Sequence, residues 1–123
     1  MRRRFEKLSA EVIGAALSVH KELGPGFLES IYHSAMRTSL AHRGIPFDSE
    51  LPVTIGFEGE VVGQARIDLI AANQIVVELK AVREFREIHF AQLKSYLRAA
   101  NLHVGLLFNF NTPTLTVRRM VVN

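Results

Sequence analysis

The stretch that decides the fold is Ala65-Arg66-Ile67-Asp68-Leu69-Ile70-Ala71-Ala72-Asn73-Gln74-Ile75-Val76-Val77-Glu78-Leu79-Lys80. Two apolar runs flank a short turn at residues 72–74, which predicts two adjacent antiparallel strands. Each run carries one carboxylate, Asp68 in the first and Glu78 in the second. A carboxylate in an apolar strand is costly to bury unless it is paired or holds a cation. Side chains alternate faces along a strand, so Glu78 and Lys80 project from the same face. With Asn73 as the pivot, residues 68 and 78 stand opposite each other, which puts Asp68 on that face as well. Opposed Cβ atoms in an antiparallel pair are about 5 Å apart. Two like charges at that distance repel, and a divalent cation between them turns repulsion into coordination. Lys80 alone offsets one of the two charges. The competing reading is an ion pair of Lys80 with Asp68 or Glu78 inside the sheet.

Composition sets the limits around this pair. Hydrophobic residues make up 48% and charged residues 22% of the chain, which excludes disorder and fits a globular protein. A length of 123 residues fits one domain over 1–123, large enough to fold without staples. The chain has no cysteine. That removes disulfides, zinc ribbons, thiol catalysis and iron–sulfur ligation, and it fits the cytoplasm. No apolar run approaches the roughly 18 residues that span a bilayer. Residues 1–5 read as a basic extension, and Glu6, Lys7, Ser9 and Glu11 interrupt what would have to be the apolar core of a secretory signal. The net charge of +3 suits a phosphate-rich partner and equally a mixed solvated surface.

Outward from the two strands, the pattern gives the remaining elements. Leu8, Val12, Ala15, Ala16, Val19 and Leu23 recur at helical spacing, predicting a helix over 6–23 that Gly24-Pro25-Gly26 ends. Leu28, Ile31, Ala35 and Leu40 predict a second helix over 27–42. Strands are expected at 49–57, 61–71 and 75–81, with a hairpin turn at Phe57-Glu58-Gly59-Glu60. A third helix follows over 88–100. Residues 104–108 read as a buried strand, and 114–121 as an edge strand because of Arg118 and Arg119. This order predicts an α/β sandwich with a mixed central sheet and flanking helices.

Other polar residues are weaker signals. Gln92 and Tyr96 are four apart and share a helical face. Glu29 sits in the first turn of the second helix, where the helix dipole favours a carboxylate whatever its function. His20, His33, His42, His89 and His103 show no zinc-site spacing, although His20 and His89 could line a site.

Four motifs together carry a resemblance. Gly26-Phe27-Leu28-Glu29-Ser30-Ile31-Tyr32, Ile67-Asp68-Leu69, Val77-Glu78-Leu79-Lys80-Ala81 and Gln92-Leu93-Lys94-Ser95-Tyr96-Leu97 appear in the order and spacing of the GxxExxY family. That family is placed in the PD-(D/E)xK nuclease-like superfamily. The resemblance spans about residues 10–122. It implies a restriction-endonuclease-like three-layer sandwich with an αβββαβ core. Asp68 would stand for the Asp of the PD element, with Ile67 in place of the proline. Glu78 and Lys80 would be the E-x-K element, Glu29 the helix-borne acid, and Gln92 and Tyr96 the QxxxY element.

The resemblance further implies a metal-dependent nuclease of low sequence specificity, acting on DNA rather than RNA. Glu29, Asp68, Glu78 and the Leu79 carbonyl would hold Mg²⁺ or Mn²⁺. Lys80 and Gln92 would handle water and phosphate. Tyr96, Arg83, Arg86, Lys94 and Arg98 would contact the nucleic acid. A homodimer or a targeting protein would supply what so small a nuclease lacks. The alternatives are a non-catalytic nucleic-acid-binding or assembly module on the same fold, a hydrolase acting on a nucleotide, and a subunit with an ion-paired core.

Overall fold

Burial along the strands divides the core into two layers. Leu69, Ala71, Ile75, Val77, Leu79, Leu106 and Phe108 pack with Val12, Ala16, Tyr32, Met36 and Leu40. Ile67, Ile70, Val76 and Leu107 pack with Leu93 and Leu97. Alternation with period 2 thus sends one set of side chains to the first two helices and the other to the third. The computed structural model describes residues 2–123. Its elements are α1 (Arg2–Leu23), α2 (Glu29–His42), β1 (Phe47–Phe57), β2 (Glu60–Ala71), β3 (Ile75–Lys80), α3 (Glu87–Ala100), β4 (Val104–Asn109) and β5 (Thr116–Val121).

The sheet has the strand order β1-β2-β3-β4-β5. Neighbours are antiparallel except β3 and β4, which are parallel and joined by the α3 crossover. This is the expected three-layer α/β sandwich on a mixed sheet. β4 is buried along its whole length and β5 lies at an edge. Asn73 is the pivot of the β2–β3 turn, since Ala71 pairs with Ile75, Ile70 with Val76 and Leu69 with Val77. Ala72 and Asn73 both take positive φ there. A two-residue turn with Glu58 and Gly59 at positive φ joins β1 to β2.

Several boundaries differ from the pattern. Residues 2–5, expected as an extension, are helical within α1, and Met1 lies outside the described residues. β1 begins at Phe47 because its pairing with Ala71 runs to the base of the hairpin. α2 begins at Glu29, two residues late, because Leu28 is extended at φ −67° and ψ 150°. β5 begins at Thr116 because the Thr112 hydroxyl closes a turn on the Thr114 carbonyl. Among the described residues no helix is long and apolar enough to cross a membrane.

α3 reaches the sheet at Gly105. A Cβ there would stand 2.7 Å from Leu93 Cδ1, and Leu93 is itself 1% exposed. Close packing leaves that leucine no room to withdraw. Gly105→Ala should therefore lower stability by about 1–3 kcal/mol, read as a lower urea midpoint at unchanged slope.

Candidate functional site

The site forms where a strand ladder stops. β2 and β3 pair only as far as Leu69 and Val77. Beyond them the carboxylates replace the ladder. Glu78 Oε2 accepts the Asp68 backbone N–H at 2.9 Å, and Asp68 Oδ2 accepts the Leu79 N–H at 2.9 Å. Each side chain thereby satisfies the amide of the other strand, which buried backbone requires. The second oxygens, Asp68 Oδ1 and Glu78 Oε1, have no hydrogen-bond partner among the described residues.

β2 also loses its alternation here. Ile67 joins the α3 layer while Leu69 joins the α1–α2 layer, although strict period 2 would place them together. On β1, Ser49 pairs with Leu69 and Leu51 with Ile67, so Glu50 and Asp68 are skipped. Glu50 absorbs the break at φ 52°. Asp68 consequently lines a cleft on the α2 side, with Glu29, Ser30, His33, Glu50, Arg66 and Leu79. The cleft holds about 280 Å³. The expected placement of Asp68, Glu78 and Lys80 on one face is corrected by this twist. Lys80 reaches Gln92 of α3, and the three groups meet through the gap between strands.

Lys80 Nζ donates to Gln92 Oε1 at 2.9 Å. Among the described residues no ion pair joins it to Asp68 or Glu78. Its charge is still felt at Glu29, Asp68 and Glu78, where it lowers the proton affinity. The strand end that carries Lys80 is clamped. Asn109, 1% exposed on β4, accepts the Val82 N–H at 3.1 Å and donates to the Val82 carbonyl at 2.8 Å. The Phe110 N–H donates to the Lys80 carbonyl at 2.9 Å.

Glu29 arrives from a stapled loop. The Tyr32 hydroxyl donates to the Gly24 carbonyl at 2.6 Å and accepts the Phe27 N–H at 3.1 Å. Tyr32 is fully buried and stacks on Phe110, with centroids 4.7 Å apart. Gly26 takes φ 108°, a conformation that glycine adopts without strain. The spacing of Gly26, Glu29 and Tyr32 thus has a mechanical meaning. The glycine turns the chain, the tyrosine pins the loop, and the glutamate is delivered to the cleft.

Three carboxyl groups hold their protons above the usual range. Burial pushes Glu78 up to about 8, helped by the Asp68 charge and opposed by the Asp68 N–H and Lys80. Burial also raises Asp68, against the Leu79 N–H and Lys80. Glu29 is raised by burial first, with Lys80 opposing and Asp68 adding. Tyr96 is raised by burial and then by the Glu78 and Asp68 charges.

The structure brings Glu29, Asp68, Glu78, Leu79, Lys80 and Gln92 together, with Tyr96 beside them. It does not bring in every basic residue. Lys94 and Arg98 are exposed on the α3 face opposite Gln92 and Tyr96. Arg83 lines a separate depression with Phe85, Asn109 and Arg118. Arg86 is the exposed N-cap of α3. His20, on α1, donates to the Thr112 carbonyl at 2.8 Å and is not among the residues lining the cleft.

Sequence reasoning missed His33, Glu50, Arg66 and Asn109. His33 Nε2 donates to the Asp68 carbonyl at 3.1 Å, and it lies four residues after Glu29, a helical spacing that was available as a signal. Arg66, two before Asp68, was likewise readable by strand parity. Nothing in the sequence marks Glu50, because its placement follows from a break in β1.

The donor set is all oxygen, which suits a hard cation such as Mg²⁺ or Mn²⁺. Among the described residues no three His, Asp or Glu side chains converge closely enough to hold a metal by themselves. The Leu79 carbonyl fits the remaining place. In a strand the N–H and C=O of one residue point to the same side, and the Leu79 N–H points at Asp68.

A family model described as the PD-(D/E)XK nuclease superfamily matches residues 6–120. Comparison with curated proteins gives no match. Among solved structures, the crystal structure of SSO0001 is similar with a TM-score of 0.61 at 22% identity. The match covers 75% of this chain and 48% of that one, so the chain spans about half the length of SSO0001. At that identity the likeness concerns the fold.

Two outcomes follow from this geometry. A carboxyl raised from 4.5 to about 8 favours the folded state least when ionised, so stability falls as pH rises between those values. Without divalent cations, Glu78→Gln should melt above wild type near pH 9 by roughly 5 °C or more, with the gap closing near pH 4; calorimetry across pH checks this. Tyr32→Phe removes both staple bonds and should cost about 1–2 kcal/mol, with faster proteolysis of the loop at residues 24–28.

Proposed function

Because the chain belongs to the PD-(D/E)XK nuclease superfamily, we propose that this cleft hydrolyses phosphodiester bonds of nucleic acid with a divalent cation. The observation that carries the reading is the crossed pair Asp68–Glu78. Both carboxylates are locked by backbone amides, yet each keeps an oxygen uncommitted while Lys80 is held apart by Gln92. A purely structural pair would spend those oxygens on the nearby lysine.

Asp68, Glu78, Glu29 and the Leu79 carbonyl would hold Mg²⁺ or Mn²⁺. Such a cation supplies charge neutralisation for the phosphate and acidifies water. The raised proton affinities fit that role, because clustered buried carboxylates are the groups a cation relieves. Lys80 orients the attacking water and stabilises charge on the phosphate as a compact donor. Gln92 holds the Lys80 ammonium in place and offers its amide N–H to the same water or to a phosphate oxygen. Tyr96 packs against the strand that enters the cleft. Arg66, exposed on the cleft wall, and Arg86 at the α3 N-terminus supply phosphate contacts. The sequence carries no motif resembling a recognition helix or a zinc finger, which fits low sequence specificity on DNA.

The test is cleavage of labelled single- and double-stranded DNA and RNA with Mg²⁺, Mn²⁺ or EDTA. Wild type should cut DNA in either metal and not in EDTA. Asp68→Ala and Lys80→Ala, shown to be folded, should lose about 100-fold or more. Binding of nucleic acid without any cutting would leave a binding module instead.

A further inference from the structure

The α3 face that carries Gln92 and Tyr96 continues towards the helix N-terminus to His89, three residues before Gln92. The His89 ring is fixed on two sides. Its Nδ1 accepts the Arg86 backbone N–H at 2.9 Å. Phe85 meets it edge-on, with centroids 5.9 Å apart and planes at 66°. An Nδ1 that accepts puts the proton of the neutral ring on Nε2. Nε2 has no partner among the described residues.

The charge around the ring points the same way. Partial burial, then the charges of Lys80 and Arg86, lower its pKa. With Nδ1 accepting, the ring donates through Nε2, near the charges of Lys80 and Arg86. Capping alone does not call for an imidazole. A Glu at this third helical position caps the N-terminus as well. What the imidazole adds is one outward N–H, at Nε2, held in a fixed orientation by the bond at Nδ1.

We propose that His89 binds substrate directly, its Nε2–H donating to a non-bridging oxygen of a nucleic-acid phosphate that lies across the N-terminal end of α3. The inference rests on the nuclease reading of the cleft. It places the strand path along the line Tyr96, Gln92, His89, over Lys80. The phosphate at His89 is the one adjoining the phosphate that Lys80 attends.

The two ring nitrogens can be tested apart. Asn carries its amide at the reach of Nδ1, so His89→Asn keeps an acceptor for the Arg86 N–H and loses the outer donor. Gln carries its amide at the reach of Nε2, so His89→Gln restores that donor. Binding of a fluorescein-labelled DNA oligonucleotide would be measured in Ca²⁺, initial cleavage in Mg²⁺, and thermal midpoints for all proteins. His89→Gln should stay within about threefold of wild type, whereas His89→Asn should lose about tenfold or more, as for one hydrogen bond to a charged group. Equal midpoints for the two variants remove folding from the comparison; if His89→Asn alone is destabilised, the affinity of His89→Gln against His89→Ala decides. His89→Asn matching wild type, or His89→Gln as weak as His89→Asn, overturns the proposal and leaves the nuclease reading standing. A wild type that neither binds nor cuts overturns both.

Discussion

The rest of the structure depends on the exchange of backbone amides between Asp68 and Glu78. A strand pair that simply continued past Leu69 and Val77 would satisfy its amides with carbonyls and leave no opening. Here two carboxylates do that work. The strands part, β2 stays with β1 alone, and a gap opens beside the buried strand β3. One set of interactions therefore closes the backbone hydrogen bonding and creates the polar site. The cost is visible in the raised proton affinity of both acids, since a desolvated like-charged pair resists double ionisation.

Around the gap, neighbouring elements each fix one part of it. His33 of α2 supplies the donor that the Asp68 carbonyl lacks once the ladder ends. Asn109 of β4 imitates a strand neighbour for Val82 and so holds the chain that carries Lys80. Gln92 of α3 sets the ammonium. Tyr32 fixes the loop that leads to Glu29. Chemical groups that must not drift are held by side chains that are themselves buried or hydrogen-bonded, which is how a site gains fixed geometry.

Much of this was readable in one dimension. Helical and strand periodicities gave the order of elements, since burial enforces them on every layer of an α/β sandwich. The pivot at Asn73 followed from the symmetry of the flanking strands, and it placed residue 68 across from residue 78. What parity could not show was the loss of alternation at Asp68. A break in a strand depends on which hydrogen bonds compete there, and that is decided by partners from β1 and β3. For the same reason Glu50 gave no signal, and the basic residues of α3 were assigned to the site although Lys94 and Arg98 project away from it.

By itself the sequence determined the α/β class, the carboxylates and the lysine carried by the two central strands, and the glycine stop after the first helix. These depend on local rules: side-chain periodicity, the cost of a charge in an apolar strand, and the backbone freedom of glycine. Only the tertiary structure decided that Lys80 rests on Gln92 rather than on a carboxylate. It also decided that Asp68 faces α2 and that His89 stands beside the lysine with one nitrogen unpartnered. Those are outcomes of competition among groups far apart in the chain, for the same amides, the same charge and the same small volume.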